Sequence, residues 1–137
     1  MKFKYTAKWI DDYGISYTPR VPVIFSNPKT KTEIPIMSLV DSGASDTLLD
    51  PQVADVLGID ITTGERVVYG VVGGTVVGYL HTLTIRIAND RHTYDVPCSF
   101  ASPGGDVMAL LGQRGFFDHY KVTFEKYKNQ FEIIAKR

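Results

Sequence analysis

The residues best suited to chemistry lie in SLVDSGASDTLL, residues 38–49, where an apolar run ends on a carboxylate. Strand-like residues from Ile36 to Val40 deliver Asp41 to a turn, Ser42 and Gly43 let the backbone reverse tightly, and small Ala44 leaves space beside the carboxylate. A reactive group is presented from a rigid strand end in this way. The same residue types also make an ordinary turn, in which Asp and Ser cap backbone groups and Gly takes a positive φ. Both readings stand on these four residues alone. Other candidates are weaker. Cys98 lies on the apolar side of an alternating segment, where burial keeps a thiol protonated, so it reads as core rather than nucleophile. His81, His92 and His119 are far apart, with no acid or cysteine at metal-ligand spacing, and each reads as a surface or turn histidine. Ser42 or Ser45 as a nucleophile would need a base and an oxyanion loop, and GxSxG is absent. GVVGG, residues 70–74, lacks the strand-turn-helix context and the lysine of a phosphate loop. No metal and no cofactor are expected.

The elements that must position Asp41 are short segments rich in Val, Ile, Tyr and Phe, separated by Gly, Pro, Asn or Asp, which is the pattern of an all-β domain. RVPVIFS and EIPIMSLV form a hairpin whose polar tip carries Pro28 and two lysines, and its second strand runs into Asp41. In HTLTIRIA, Leu83, Ile85 and Ile87 alternate with Thr82, Thr84 and Arg86, so one face is buried and one is wet. ANDR supplies a turn. On the returning strand, Tyr94, Val96, Cys98 and Phe100 alternate with Thr93, Asp95, Pro97 and Ser99, and Pro97 predicts an edge or a bulge because it cannot donate to a ladder. A short helix is predicted from Asp50 as N-cap and Pro51 at its first position, through QVADVL, to a stop at Gly58. A second is predicted in QRGFFDHY, and KVTFEKYKNQFEII reads as two strands around Lys128 and Asn129. The first dozen residues carry no decisive pattern.

The totals narrow the class. A chain of 137 residues fits one compact domain. Lys plus Arg equals Asp plus Glu at 15 each, with no basic run, so the attraction that drives binding to nucleic acid or an anionic membrane is missing. Neither partner is expected. One cysteine cannot form an internal disulfide, and MKFKYTAKWIDDYG lacks the apolar core of a secretory signal, so a reducing, cytoplasmic setting and an independent product beginning at Met1 are expected.

Three elements in order resemble the aspartic proteases. The signature of two apolar residues followed by D-[ST]-G-[AS]-x-x-[ST] is matched by Leu39, Val40, Asp41, Ser42, Gly43, Ala44 and Thr47. Leu110, Leu111 and Gly112 match the late apolar pair and glycine, which in the family run beside the catalytic loop. Between them, YGVVGGTVVGY, residues 69–79, looks like the flap that folds over bound peptide. The match covers residues 20–134. Pepsin-like enzymes carry two D-[ST]-G signatures in one long chain, whereas retroviral-type proteases carry one and pair two chains; this chain has one. The resemblance therefore implies an all-β, retropepsin-like acid-protease lobe. That lobe is a closed β-barrel with one or two short helices and a glycine-rich flap hairpin, with residues 1–137 as a single domain.

The same resemblance implies a homodimeric aspartic endopeptidase acting on an extended peptide or protein, with Asp41 of each chain meeting on a two-fold axis. Two carboxylates ~3 Å apart cannot both ionise, so the pair shares a proton and a water between them attacks the scissile carbonyl. Ser42 would lock the two loops across the dimer, Gly43 would offer its carbonyl to substrate, and Ala44 completes the loop. Ser45, Asp46, Val72, Gly73 and Gly74 are the expected substrate-binding residues, and Val71, Leu80 and Leu110 hint at apolar pockets. Tyr69-Gly70 is similar to the Tyr-Gly pair before a pepsin flap tip, with ordinary strand packing as the other reading of Tyr69. Viral enzymes have an Asp and an Arg, paired with each other, where this chain has Ser45 and Gln113; a neutral hydrogen bond is the simplest replacement. Asp46 remains, to contact substrate or Arg114 or to stay idle. The C-terminal part looks more like the close of a pepsin-type lobe than a viral terminal strand, and the hairpin from Lys121 to Ile134 is expected at the dimer interface. Two rivals remain: a non-catalytic peptide-binding module on the same fold, and a protease that stays monomeric until concentrated.

Overall fold

The computed structural model describes residues 1–137. In chain order its strands are β1 (Lys2–Lys4), β2 (Thr6–Ile10), β3 (Gly14–Thr18), β4 (Arg20–Ser26), β5 (Glu33–Val40), β6 (Leu48–Leu49), β7 (Glu65–Val71), β8 (Gly74–Ile87), β9 (Tyr94–Phe100), β10 (Ala109–Leu111), β11 (Tyr120–Glu125) and β12 (Gln130–Ala135), with one α-helix, α1 (Gln52–Leu57).

A seven-stranded sheet runs in the order β4-β5-β10-β6-β9-β8-β7, and a further pairing of β4 with β8 closes its first six strands into a barrel. The alternation seen in the sequence becomes the barrel's inside and outside. Val21, Val23 and Phe25 of β4, Leu83, Ile85 and Ile87 of β8, and Val96, Cys98 and Phe100 of β9 all turn into one core. Strand β8 is long because it serves twice. Its second half, opposite β4, is barrel wall, and its first half pairs with β7 as a hairpin that leaves the barrel. A second sheet, β1-β12-β11, ties the first residues to the last: Phe3 stacks on Phe131 at 5.4 Å, and Phe131 and Ile133 are buried. The hairpin around Asn129, which takes φ 50°, forms as expected.

Helix α1 covers one end of the core with Val53, Ala54 and Leu57. Asp50 Oδ1 accepts from the Gln52 N–H at 2.9 Å, the predicted capping role, and Gly58 ends the helix in the left-handed conformation at φ 69°. The second predicted helix does not form. Residues 113–119 are turns interrupted by a bridge from Arg114 to Asp46, with Gly115 at φ 99°, a backbone state that an α-helix does not accept. Pro97 is neither in an edge strand nor at a bulge: β9 lies between β6 and β8, and Pro97 pairs with Thr82 in unbroken register. Its missing N–H is harmless because it faces the β6 side, where β6 pairs only with Ser99 and Phe100. No helix is long and apolar enough to cross a membrane.

Strands β2 and β3 pair only with each other, as a ribbon outside both sheets.

Candidate active site

The Asp41 loop hangs from two parallel strands. Leu39 and Val40 at the end of β5 lie beside Leu110 and Leu111 of β10, and the Asp41 N–H donates to the Leu111 carbonyl at 3.0 Å. Buried Val40 and Leu111 fix both strand ends in the core, so the first residue past β5 starts from a rigid base. The turn then closes on the carboxylate itself. The Gly43 N–H donates to Asp41 Oδ1 at 2.9 Å, and the Ala44 N–H donates to the Asp41 carbonyl at 3.2 Å. A Cβ at residue 43 would come 3.2 Å from Asp41 Oδ1, so glycine leaves the carboxylate room. Asp41 Oδ2 has no hydrogen-bond partner within the chain, and neither has the Ser42 hydroxyl.

The late glycine has a similarly direct reason. The loop from Ala44 to Asp46 passes over Gly112 so closely that any Cβ there would run into the Asp46 backbone. That approach lets two backbones bond across it: the Gln113 N–H donates to the Ala44 carbonyl at 2.8 Å, and the Arg114 N–H to the Ser45 carbonyl at 3.0 Å. Fully buried Thr47 completes the link, donating from Oγ1 to the Arg114 carbonyl at 2.9 Å while accepting from the Gly112 N–H at 3.1 Å. The hydroxyl at the end of the sequence signature therefore braces the loop from below.

An ion pair survives here, shifted by one residue, and so corrects the expected neutral replacement. Arg114 donates from Nε to Asp46 Oδ1 at 2.7 Å and from Nη2 to Asp46 Oδ2 at 3.0 Å, a fork matching guanidinium to carboxylate. Ser45 and Gln113 do not meet; the Gln113 side chain donates to the Ser42 carbonyl at 2.6 Å instead. The signal lay in the sequence: where the viral pattern loses both charges, both reappear one position later, at Asp46 and Arg114.

Asp46 also holds the flap. Its Oδ2 accepts from the Tyr69 hydroxyl at 2.6 Å, so Tyr69 does reach the Asp41 loop, through Asp46 rather than by touching Asp41. Gly78 makes this possible, because a side chain on that residue of β8 would collide with the Tyr69 ring and the Ser99 hydroxyl. Arg114, ahead of the other contacts, pulls the Asp46 carboxyl below the ordinary carboxylate range, while burial and then Asp46 push the Tyr69 hydroxyl up to about 12. Tyr69 is thus a permanent donor and Asp46 a permanent acceptor near neutral pH. Asp46 is only 8% exposed, so it is not the idle surface carboxylate that was one sequence reading, and three of its acceptor positions are taken within the chain.

The flap itself is the hairpin of β7 and β8, in register from Glu65 opposite Leu80 to Val71 opposite Gly74. Its turn is Val72-Gly73, with Gly73 at φ 89° and Val72 wholly exposed. Val72, Gly73 and Gly74 therefore sit at the tip, where the sequence put them, and Tyr69, opposite Val76, lies partway along the hairpin toward that tip. The remaining candidates are dispersed. His81 Nε2 lies 2.9 Å from the Ile61 carbonyl, His92 pairs with Asp90, and His119 stacks on Tyr94 at 4.4 Å. Cys98 is fully buried in the core, where burial raises its thiol above the ordinary range.

A family model described as aspartyl protease matches residues 22–114, which take in the Asp41 loop, the flap and the late glycine. DNA damage-inducible protein 1 of Kluyveromyces lactis is 32% identical over 106 residues, covering 73% of this chain and 25% of that protein. The protein of the same name from Saccharomyces cerevisiae is 29% identical over 106 residues, covering 72% and 24%. The chain thus spans about a quarter of the length of these relatives. Among solved structures, a retropepsin-like aspartic protease from Rickettsia conorii superposes with a TM-score of 0.65 at 20% identity, over 98% of both chains. The EIAV protease in an inhibitor complex gives 0.52 at 20% identity, over 70% of this chain and 82% of that one. At such identity the likeness speaks for the fold, and the family model for the sequence: the chain belongs to the aspartyl proteases and has their retropepsin-like fold.

Proposed function

We propose that this chain is an aspartic endopeptidase whose active unit is a homodimer, with Asp41 of each copy as the catalytic residue and residues 1–137 acting as one domain. The observation that carries the reading is the state of the Asp41 loop. It is braced from below by Thr47 and Gly112, yet it leaves Asp41 Oδ2 and the Ser42 hydroxyl without partners in their own chain. One chain offers one such carboxylate, and the reaction needs two.

In the dimer, the ionised carboxylate takes a proton from the water held between the pair while the protonated one gives its proton to the scissile carbonyl oxygen. The hydroxyl adds to the carbonyl carbon, and the tetrahedral intermediate breaks its C–N bond as a proton passes to the leaving amine. No covalent acyl-enzyme forms. The Ser42 hydroxyl is assigned to the partner's loop and the Gly43 carbonyl to substrate backbone. Val72, Gly73 and Gly74 close over an extended peptide and exclude water, and Ser45 is assigned to the substrate as a further contact. Asp46 contributes by positioning, since its carboxylate is held by Arg114 and Tyr69. A cytoplasmic setting accords with a lone cysteine buried in the core.

The test is cleavage of a mixed peptide library from pH 3 to 8 by the wild type and by Asp41→Ala, at several protein concentrations. Cleavage lost in the variant by roughly a thousandfold or more, and rising faster than linearly with wild-type concentration, is the expected result. A wild type shown to be dimeric that binds peptides and cleaves none would replace this reading with the peptide-binding module.

A further inference from the structure

The ribbon of β2 and β3 is folded inside out. In its register Trp9 faces Ile15 and Ala7 faces Tyr17, so these four side chains share one face, and that face points to solvent. Trp9 is 68% and Ile15 56% exposed, and Tyr13 at the tip is 88% exposed. The opposite face carries Thr6, Ser16 and Thr18, all half-buried, and Lys8, whose Nζ lies 2.8 Å from Asp106 Oδ2. An isolated two-stranded ribbon is at best marginally stable in water. One that turns its polar face to its own barrel and leaves Trp9 and Ile15 outward gains little from that aromatic face while the chain is alone; of the face only Tyr17, with the Lys126 ammonium 5.8 Å from its ring, meets the rest of the chain.

The ribbon also leaves the barrel at a telling place. Its last strand runs through Pro19, whose carbonyl accepts from the Val40 N–H at 2.9 Å, into Arg20, which pairs with Leu39. Val40 precedes Asp41. Lys8 and Arg20 both grip Asp106, in the loop that leads to β10 and so to the Leu111 carbonyl on which Asp41 rests. The base of the ribbon is therefore built into the end of the barrel that presents Asp41.

From this placement we infer that the Ala7, Trp9, Ile15 and Tyr17 face of the ribbon is an interface arm that packs on a second copy of this chain. The inference rests on the proposed pairing of Asp41 carboxylates: a second copy that brings its own Asp41 must approach the end of the barrel from which the ribbon springs. The composition suits that occupant, because Trp and Tyr anchor protein interfaces and Lys8 stays on the other face. A whole Trp or Tyr side chain hides about 150–250 Å²; with Trp9 68%, Ile15 56% and Tyr17 39% exposed, what the arm still has to bury is roughly half of the ~800 Å² per partner of a standard interface. The surface around Asp41 supplies the rest. By two-fold symmetry each copy gives one arm and receives one.

Trp9 is the only tryptophan in the sequence, so its fluorescence reports this face alone. The experiment follows the full chain across a dilution series by sedimentation velocity, Trp9 emission and iodide quenching, for the wild type and for Ile15→Asp, with thermal melting as the check on the barrel. The expected result is a dimer at high concentration with blue-shifted, quencher-protected Trp9, a red shift on dilution along the same curve, and a dissociation constant at least about tenfold higher in Ile15→Asp. A wild-type dimer whose Trp9 emission does not change with concentration would overturn the arm and leave the Asp41 pairing intact. Trp9 covered only when peptide is added would make the ribbon a wall of the substrate groove, and would also overturn the arm. A wild type that stays monomeric at every concentration would remove both this inference and the dimeric reading beneath it. If Ile15→Asp melts the ribbon, the wild-type dilution curve decides alone.

Discussion

Two antiparallel ribbons extend from this barrel, and they are held by opposite means. The flap is continuous with barrel strand β8 and is fastened partway along its length by Tyr69 on a nearly buried carboxylate. The N-terminal ribbon shares no strand with either sheet, and its one ion-pair anchor is Asp106, which is half exposed. A ribbon's position is thus set less by its own ladder than by what its side chains find outside it. For the flap, that partner is Asp46, which also braces the loop of Asp41, so moving the flap and moving the site are mechanically linked. For the N-terminal ribbon, Trp9 and Ile15 find no apolar partner within the chain.

Cutting the flap's anchor should have the largest effect. Asp46→Ala leaves the Arg114 guanidinium and the Tyr69 hydroxyl without their acceptor. Removing one partner of a fully buried pair is typically worth 3–5 kcal/mol, and Arg114 is itself 48% exposed, so a loss of roughly 2 kcal/mol is expected in urea unfolding. Cleavage should fall with it, because the 44–46 backbone that crosses Gly112 loses its side-chain support. Tyr69→Phe is the gentler cut. It removes one hydrogen bond to a carboxylate, a change of about 1–2 kcal/mol, and keeps the ring that fits over Gly78. The expected signature is a severalfold rise in KM with a smaller fall in kcat, together with faster amide exchange in residues 65–79. Unchanged exchange there would show that the flap is held by its ladder alone.

What the sequence disclosed, and what it did not, follows the same division between local and distant causes. Strands β4, β5, β8 and β9 were readable because each buries one face in its own barrel, which writes a period of two into the chain. The capped helix was readable because Asp50, Pro51 and Gly58 are local signals. The Asp41 loop was readable as a motif, but the necessity of Gly112 is a contact with residues far away in the chain. The Asp46–Arg114 contact was one of three open readings of Asp46, and the pattern could not choose it because a one-residue shift on both loops leaves the contact intact and the pattern broken. The apparent helix at 113–120 failed for a tertiary reason as well: the Thr47 and Ser45 backbones claim the Arg114 polar groups. The N-terminal ribbon was unreadable because its apolar face is not buried in its own chain, so the rule that exposes strands had nothing to act on.

Acid separates the two anchors most finely. Arg114, with Tyr69 behind it, holds the Asp46 carboxyl below its ordinary value of 3.8; Lys8, then Arg20, holds that of Asp106 at about 2. In both cases the folded form binds its proton less readily than the unfolded chain does. The stabilisation is therefore complete well above pH 3.8 and is lost as pH falls through that value toward the folded one. The two should differ in size and in salt response. Asp46→Asn keeps an acceptor for Tyr69 but loses the charge opposite Arg114. Its melting temperature should lie clearly below the wild type's at pH 6, and the gap should close as pH falls through 3.8 toward the lowered folded value. Asp106→Asn should barely change melting at any pH, because its carboxylate is open to water, and what change there is should vanish at high salt. Differential melting of the two variants from pH 6 to 2, at low and high salt, measures both. A gap for Asp46→Asn that stays constant with pH would mean that its charge does not hold the flap, and the contrast between the two ribbons would then rest on the Tyr69 hydrogen bond alone.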